Sequence, residues 1–181
     1  MKCIITYKRV KRLSMRILKN GEIHVSAPLG LPRKDVEEFI ENNKEWALRS
    51  LKKMEERLET RSNFYDQLPY NTKQQKLDAQ NRLEEKILPM ITKYEQIMGV
   101  KASQITFKKL ISRWGCCNVR TKQINFSIYL LLLPDWCIEH IVVHELAHLI
   151  VPNHGPKFHA VMDIFFPRWK EARKYMREIS R

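Results

Sequence analysis

"HELAHLIVPNHGPKFH", residues 144–159, carries four histidines and one glutamate in sixteen positions. His144 and His148 are four residues apart, so on a helix they share one face about one turn apart. Two imidazoles at that spacing can reach one metal ion. Glu145, beside the first of them, can touch a water on that ion without becoming a ligand. Ile138, Val142, Leu146 and Leu149 fall on a different stripe, which predicts that the helix is anchored in the core. Pro152 cannot continue a helix and pushes Val151 out of helical geometry, so the helix is expected to end near Ile150.

That break decides among three candidates for a third ligand. His154 follows Pro152 in "NHG", where the chain can turn back towards the metal. His159 falls inside the next expected helix, where a lone, partly exposed histidine is the ordinary reading. Glu171 lies in "FPRWKEARKYM" and fits equally an ion pair on a basic helix. His154 is the best of the three. With His144, His148 and His154 as ligands, three neutral imidazoles leave a single Zn2+ one open tetrahedral position for water. Zinc lowers the pKa of that water and Glu145 takes its proton as general base, for attack on a carbonyl or phosphoryl centre. Cys3, Cys116, Cys117 and Cys137 form no CxxC pair, so a closed structural site is not expected.

Upstream, residues 1–30 read as short strands, with Asn20-Gly21 as a two-residue hairpin turn between "MRIL" and "IHVSA". Val36, Phe39, Ile40, Trp46, Ala47, Leu51, Met54 and Leu58 recur at helical spacing and predict one helix. "TRSNFYDQLPYNT" reads as a linker. A second helical pattern runs from Thr72 to about Met98, with Pro89 as a kink or break and Gly99 as its stop. "SQITFKKLI" and "QINFSIYL" read as strands, the latter burying Ile124, Phe126, Ile128 and Leu130. Helices then run from about Pro134 to Ile150 and from about Pro156 towards the C-terminus. The division expected is an N-terminal β-hairpin and helix lobe over 1–60, a linker over 61–71, and a metal-dependent hydrolase domain over 72–181.

The chain has 181 residues, and Lys and Arg exceed Asp and Glu by 33 to 20, a net charge of +13. Lys2, Lys8, Arg9, Lys11, Arg12, Arg16 and Lys19 fall in a stretch of twenty residues without an acid, and the tail from Pro167 to Arg181 is also basic. Such a charge favours contact with nucleic acid or other polyanions, or serves only as a well-solvated surface. The apolar run around "IYLLLL" stops at Pro134, short of a membrane span. With no signal peptide and unpaired cysteines, the expectation is a cytoplasmic protein with reduced thiols and no membrane contact.

"SRWGCC", "INFSIYLLLLPDWCIEHIVVHELAHL" and "NHGPKFHAVMDIFFPRWK" together resemble the YgjP-like metallopeptidase family, relatives of the WLM and SprT-like zinc peptidases. "GEIHVSAPLGLP" followed by a helix with "EW" also fits, so the likeness covers nearly the whole chain. It implies an α+β fold in which a β-hairpin and helix lobe precedes a zincin-like domain with a small sheet and an HExxH helix. It further implies His144, His148 and His154 as zinc ligands and Glu145 as catalytic base. Cys116 stands where the family usually has serine, Ser127 where asparagine is common, and His159 where tryptophan is frequent; none of these is a metal ligand. The histidine spacing also matches the metzincins, but Val151 replaces their glycine at the bend.

In "ISRWG" the likeness sets Arg113 and Trp114 at the end of a strand beside the active-site helix. Arg113 is then a candidate to hold a substrate anion and Trp114 to wall the cleft, with core packing the plainer role for Trp114. The leading function is a zinc peptidase that draws an extended peptide along a sheet edge. One alternative is a nucleoside triphosphate pyrophosphohydrolase, as one family member is described. The charge favours such a nucleotide substrate, although no GxxxxGK[ST] loop is present. Another is a nucleic-acid-associated protein like the SprT-like relatives, although no recognisable reading motif accompanies the basic hairpin.

Overall fold

The computed structural model describes residues 3–179. Lys2 and Arg181, counted above among the basic residues, lie outside that range. The architecture is α+β, as expected, and the chain divides between Thr60 and Arg61 into two compact units.

In the first unit, β1 (Cys3–Lys8), β2 (Ser14–Ile17) and β3 (Ile23–Pro28) form a sheet in the order β1-β3-β2. β1 runs parallel to β3 and β2 antiparallel to it. Alternation along β3 buries Ile23, Val25 and Ala27 with Val36 and Ala47. The β2–β3 hairpin forms at the expected place, with a loop one residue longer than expected. Leu18 N–H donates to the Glu22 carbonyl and Gly21 N–H to the Leu18 carbonyl. Gly21 sits at φ 80°, the left-handed position that such a three-residue loop requires.

The single helix expected after Pro32 is two. α1 (Arg33–Asn42) ends at Asn43, whose side-chain amide donates to the Phe39 carbonyl, and α2 (Lys44–Asp66) starts afresh. An asparagine that satisfies the backbone with its own side chain competes with helix continuation. Trp46 and Leu58, read as part of the buried stripe, are 45% and 54% exposed. α2 also runs through residues 61–66, so part of the segment read as a linker is helical.

In the second unit, α3 (Lys73–Met98) begins with a capping box between Thr72 and Gln75 and ends at Gly99 in the left-handed conformation. Pro89 does not break it. A helix-interior proline costs about 3 kcal/mol. Burying Leu83, Ile87 and Ile91 on the opposite stripe contributes roughly 1.5–3 kcal/mol each. Both Pro89 and Glu85, whose carbonyl lacks its usual donor, face solvent.

β4 (Gln104–Lys108), β5 (Gly115–Asn118) and β6 (Gln123–Ser127) form the sheet β4-β6-β5, which leaves β5 on an edge. The strand expected to run through "QINFSIYL" stops at Ser127, whose hydroxyl accepts from Tyr129 N–H and opens a 3-10 turn over Ile128–Leu132. Ile128 and Leu130 are buried as expected, but on that turn.

α4 (Asp135–Ala147) is buried around most of its circumference. Lys93 and Tyr94 of α3 both donate to Glu139 of α4, at 3.0 and 2.8 Å. Burial alone would raise the Glu139 carboxyl, but these hydrogen bonds hold it below its ordinary range. The C-terminal helix is also split, into α5 (Pro156–Phe165) and α6 (Trp169–Ile179), at Phe166-Pro167-Arg168. Among the described residues no helix is long and apolar enough to cross a membrane.

Candidate metal centre

α4 supplies His144, and His148 caps its C-terminus on the same face; the helix stops at Ala147, three residues before the Ile150 expected, and the chain continues as a turn. Val151 N–H still bonds to the Ala147 carbonyl, and Pro152 then diverts the backbone. Among the described residues only Lys122 is a non-glycine with positive φ, so the bend at Val151 needs no left-handed residue. That accounts for the valine where the metzincin pattern has glycine.

The turn brings His154 Nε2 to 3.0 Å from His144 Nε2. One nitrogen from each of His144, His148 and His154 lies within 4.8 Å of the others. Ligands about 2.0–2.1 Å from a tetrahedral ion stand about 3.4 Å apart, so this cluster fits a single cation with small adjustments. His148 Nδ1 faces the Val151 carbonyl at 3.3 Å. A carbonyl only accepts, so the proton sits on Nδ1 and the Nε2 lone pair is free for an ion. Phe158, 2% exposed, packs its ring 4.7–4.9 Å from all three imidazoles and floors the cluster. Burial, then the neighbouring histidines and Arg173, pull His144 down to about 3. His148 is lowered by burial and by His154. Both are therefore neutral at physiological pH, the form that binds a metal.

Glu145 is 4% exposed, and its Oε2 has no hydrogen-bond partner. Burial pushes its carboxyl up to about 8, and Arg113 opposes that shift. A desolvated carboxylate oxygen without a partner is costly, and its usual explanation is a ligand, a water or a catalytic task. Gly115 makes the close approach possible, because a Cβ there would stand 2.6 Å from Glu145 Oε1. Gly115→Ala is therefore expected to displace the carboxylate and lower hydrolytic turnover about 10–100-fold at unchanged metal content. Turnover and metal content measured on one preparation check this, and wild-type turnover in the variant refutes it.

A cleft of about 960 Å³ opens over the cluster. Arg113 and Trp114 precede β5 and both line it. Trp114 also packs edge-on against Phe64 at 6.0 Å, so it belongs to cleft wall and core alike. Among the described residues His159 joins no ligand cluster; it stacks on Trp169 at 4.8 Å with rings 6° apart. Glu171 is exposed and pairs with Arg168 at 3.0 Å. All four cysteines are free, and none belongs to the histidine cluster. Burial, then Glu145 and Cys116, raise the Cys117 thiol to about 11, which keeps it protonated.

The sequence reading missed His140 and Arg173, which also line the cleft. His140 could have been found, since it extends the four-residue spacing of His144 and His148 by one turn. Arg173, brought in by α6 from a distant part of the chain, left no local signal.

A family model described as "YgjP-like, metallopeptidase domain" matches residues 11–82 and 66–179. Among solved structures, the metallopeptidase zymogen of Pyrococcus abyssi abylysin is similar at 22% identity and TM-score 0.46, over 51% of this chain and 94% of that one. The metallopeptidase zymogen of Methanocaldococcus jannaschii jannalysin is similar at 19% identity and TM-score 0.45, over 50% and 92%. No curated protein matches the sequence.

Proposed function

The chain belongs to the YgjP-like metallopeptidase-domain family, and from that premise we propose that it is a zinc-dependent peptidase with His144, His148 and His154 as ligands and Glu145 as general base. The observation that carries the reading is the buried, unpartnered Glu145 Oε2 beside three converging imidazoles. Three nitrogen donors and no cysteine suit an open zinc site. When bound, the ion supplies Lewis-acid polarisation of the scissile carbonyl and acidifies water.

The protein's own groups perform the remaining tasks. His148 is oriented by the Val151 carbonyl and the cluster is floored by Phe158. Glu145 accepts the proton of the attacking water and returns it to the leaving amine nitrogen. β5 is an edge strand, and its residues Gly115, Cys116 and Cys117 line the cleft. An extended peptide pairing with that edge would lie beside Glu145, with Trp114 as a wall. Arg113, whose charge is felt at Glu145, is the group there that can hold a substrate anion. A cytoplasmic location agrees with the free cysteines. No finding supports nucleic-acid contact.

The test is to incubate zinc-loaded protein with a peptide mixture and, separately, with nucleoside triphosphates, following products by mass spectrometry. Peptide cleavage that stops on chelation and returns with zinc is the expected result. Pyrophosphate release without any peptide cleavage would overturn the reading.

A further inference from the structure

The cleft contains polar groups that the proposed chemistry leaves idle. His140 stands one turn before His144 on α4, and Arg173 comes from α6, which packs against α4. Both line the cleft, next to Trp169. His140 is 4% exposed, held between His144 and Phe166 with ring centroids at 5.8 and 5.6 Å. Its Nδ1 is sealed from solvent and has no partner. The ring lines the cleft, so Nε2 is the nitrogen through which it can serve a ligand. With Nδ1 sealed and unpartnered, the ring can carry its proton on Nε2 and donate it into the cleft.

Arg173 is exposed and has no ion pair among the described residues, although Arg168 on the same stretch pairs with Glu171. Its charge is felt at His140 and His144, whereas that of Arg113 is felt at Glu145. The two arginines therefore serve different parts of one cleft. Among the described residues Glu145 is the sole carboxylate lining the cleft, against the two arginines Arg113 and Arg173, so the cleft favours an added negative charge.

We propose that Arg173 and His140 form a subsite for a carboxylate of the peptide substrate, either an acidic side chain or the C-terminal carboxylate near the bond that is cut. The inference rests on the peptidase reading and adds a substrate class to it. A guanidinium matches a carboxylate in geometry and charge, and a neighbouring imidazole N–H adds a third donor. One cation and a neutral ring suit one negative charge, whereas a triphosphate would demand more cations or a backbone cradle.

Binding is read first, in the zinc-loaded Glu145→Gln protein, so that turnover does not interfere. Fluorescent peptides are compared in matched pairs: internal Glu against Gln, and free C-terminus against amide. At least one carboxylate should bind about tenfold or more tighter than its neutral match. Whichever pair shows the preference identifies the source of the carboxylate. Arg173→Gln should abolish the preference, with far-UV circular dichroism unchanged. Arg177→Gln, exposed on α6 and not lining the cleft, should preserve it. Equal binding of acid and neutral peptides, or a preference that survives Arg173→Gln, overturns the subsite. Tighter binding of a nucleoside triphosphate than of any peptide overturns the carboxylate assignment. Wild-type protein that binds acidic peptides with this preference yet cleaves none would overturn the peptidase reading and leave the subsite standing.

Discussion

Glu145→Gln is expected to lower peptide hydrolysis by about 10²–10⁴-fold while zinc content stays at the wild-type level. The amide keeps the size of the side chain in a position that is 4% exposed and closed over by Gly115. It cannot accept a proton from water, and that is the only function withdrawn. Zinc should stay, because the ligand cluster consists of His144, His148 and His154 and includes no oxygen of Glu145. Thermal stability separates this from damage to the fold. Glu145 Oε2 is buried without a partner and burial pushes its carboxyl up to about 8, so near neutral pH the folded, metal-free protein must take up a proton that the unfolded chain does not hold, which costs stability. Gln carries no charge to desolvate, so the melting temperature of the metal-free variant should equal or exceed that of wild type. Activity and stability then move in opposite directions, as expected where a group is kept for chemistry. A variant that hydrolyses peptide at the wild-type rate rules out the general-base role.

The features legible in the sequence are those set by near neighbours. HExxH spacing places His144 and His148 on one face, and Pro152 bars the helix from continuing past the turn, because both are rules about a few consecutive residues; that the last helical residue is Ala147 and not Ile150 is not among them. The Gly21 turn and the Gly99 stop are local in the same way, since each residue satisfies backbone geometry within its own turn. Other readings were decided by tertiary surroundings. Pro89 looks like a break until α3 is seen to bury Leu83, Ile87 and Ile91 while Pro89 faces solvent. Ile128 and Leu130 alternate like strand residues, yet the Ser127 hydroxyl turns the chain into a 3-10 segment. Gly115 carries no local signal of its role, and only the packing of β5 beside α4 gives it its fit against Glu145. The histidine cluster could thus be read in outline, while the walls of the cleft, Arg173 above all, depend on which helices return to it.

His154→Ala tests the third ligand, the one choice that spacing alone could not make. The variant is expected to bind zinc at least about 100-fold more weakly, since loss of even a group supporting a ligand costs 10–100-fold. Hydrolysis should fall with the zinc. His154 is exposed, in the turn between α4 and α5, so truncation leaves no core cavity and the metal-free fold should melt at the wild-type temperature. Zinc should therefore raise the melting temperature of wild type, because an ion that binds only the folded state stabilises it, and the shift should shrink or vanish in His154→Ala. Glu171→Ala provides the contrast. Glu171 pairs with Arg168 on the surface, so its removal should leave zinc affinity unchanged. Titration against a competing chelator reads both variants. Tight zinc in His154→Ala together with loss in Glu171→Ala would move the third ligand onto α6. It would also mean that the 3.0 Å approach of His154 to His144 serves packing of the turn, with no part in holding the ion.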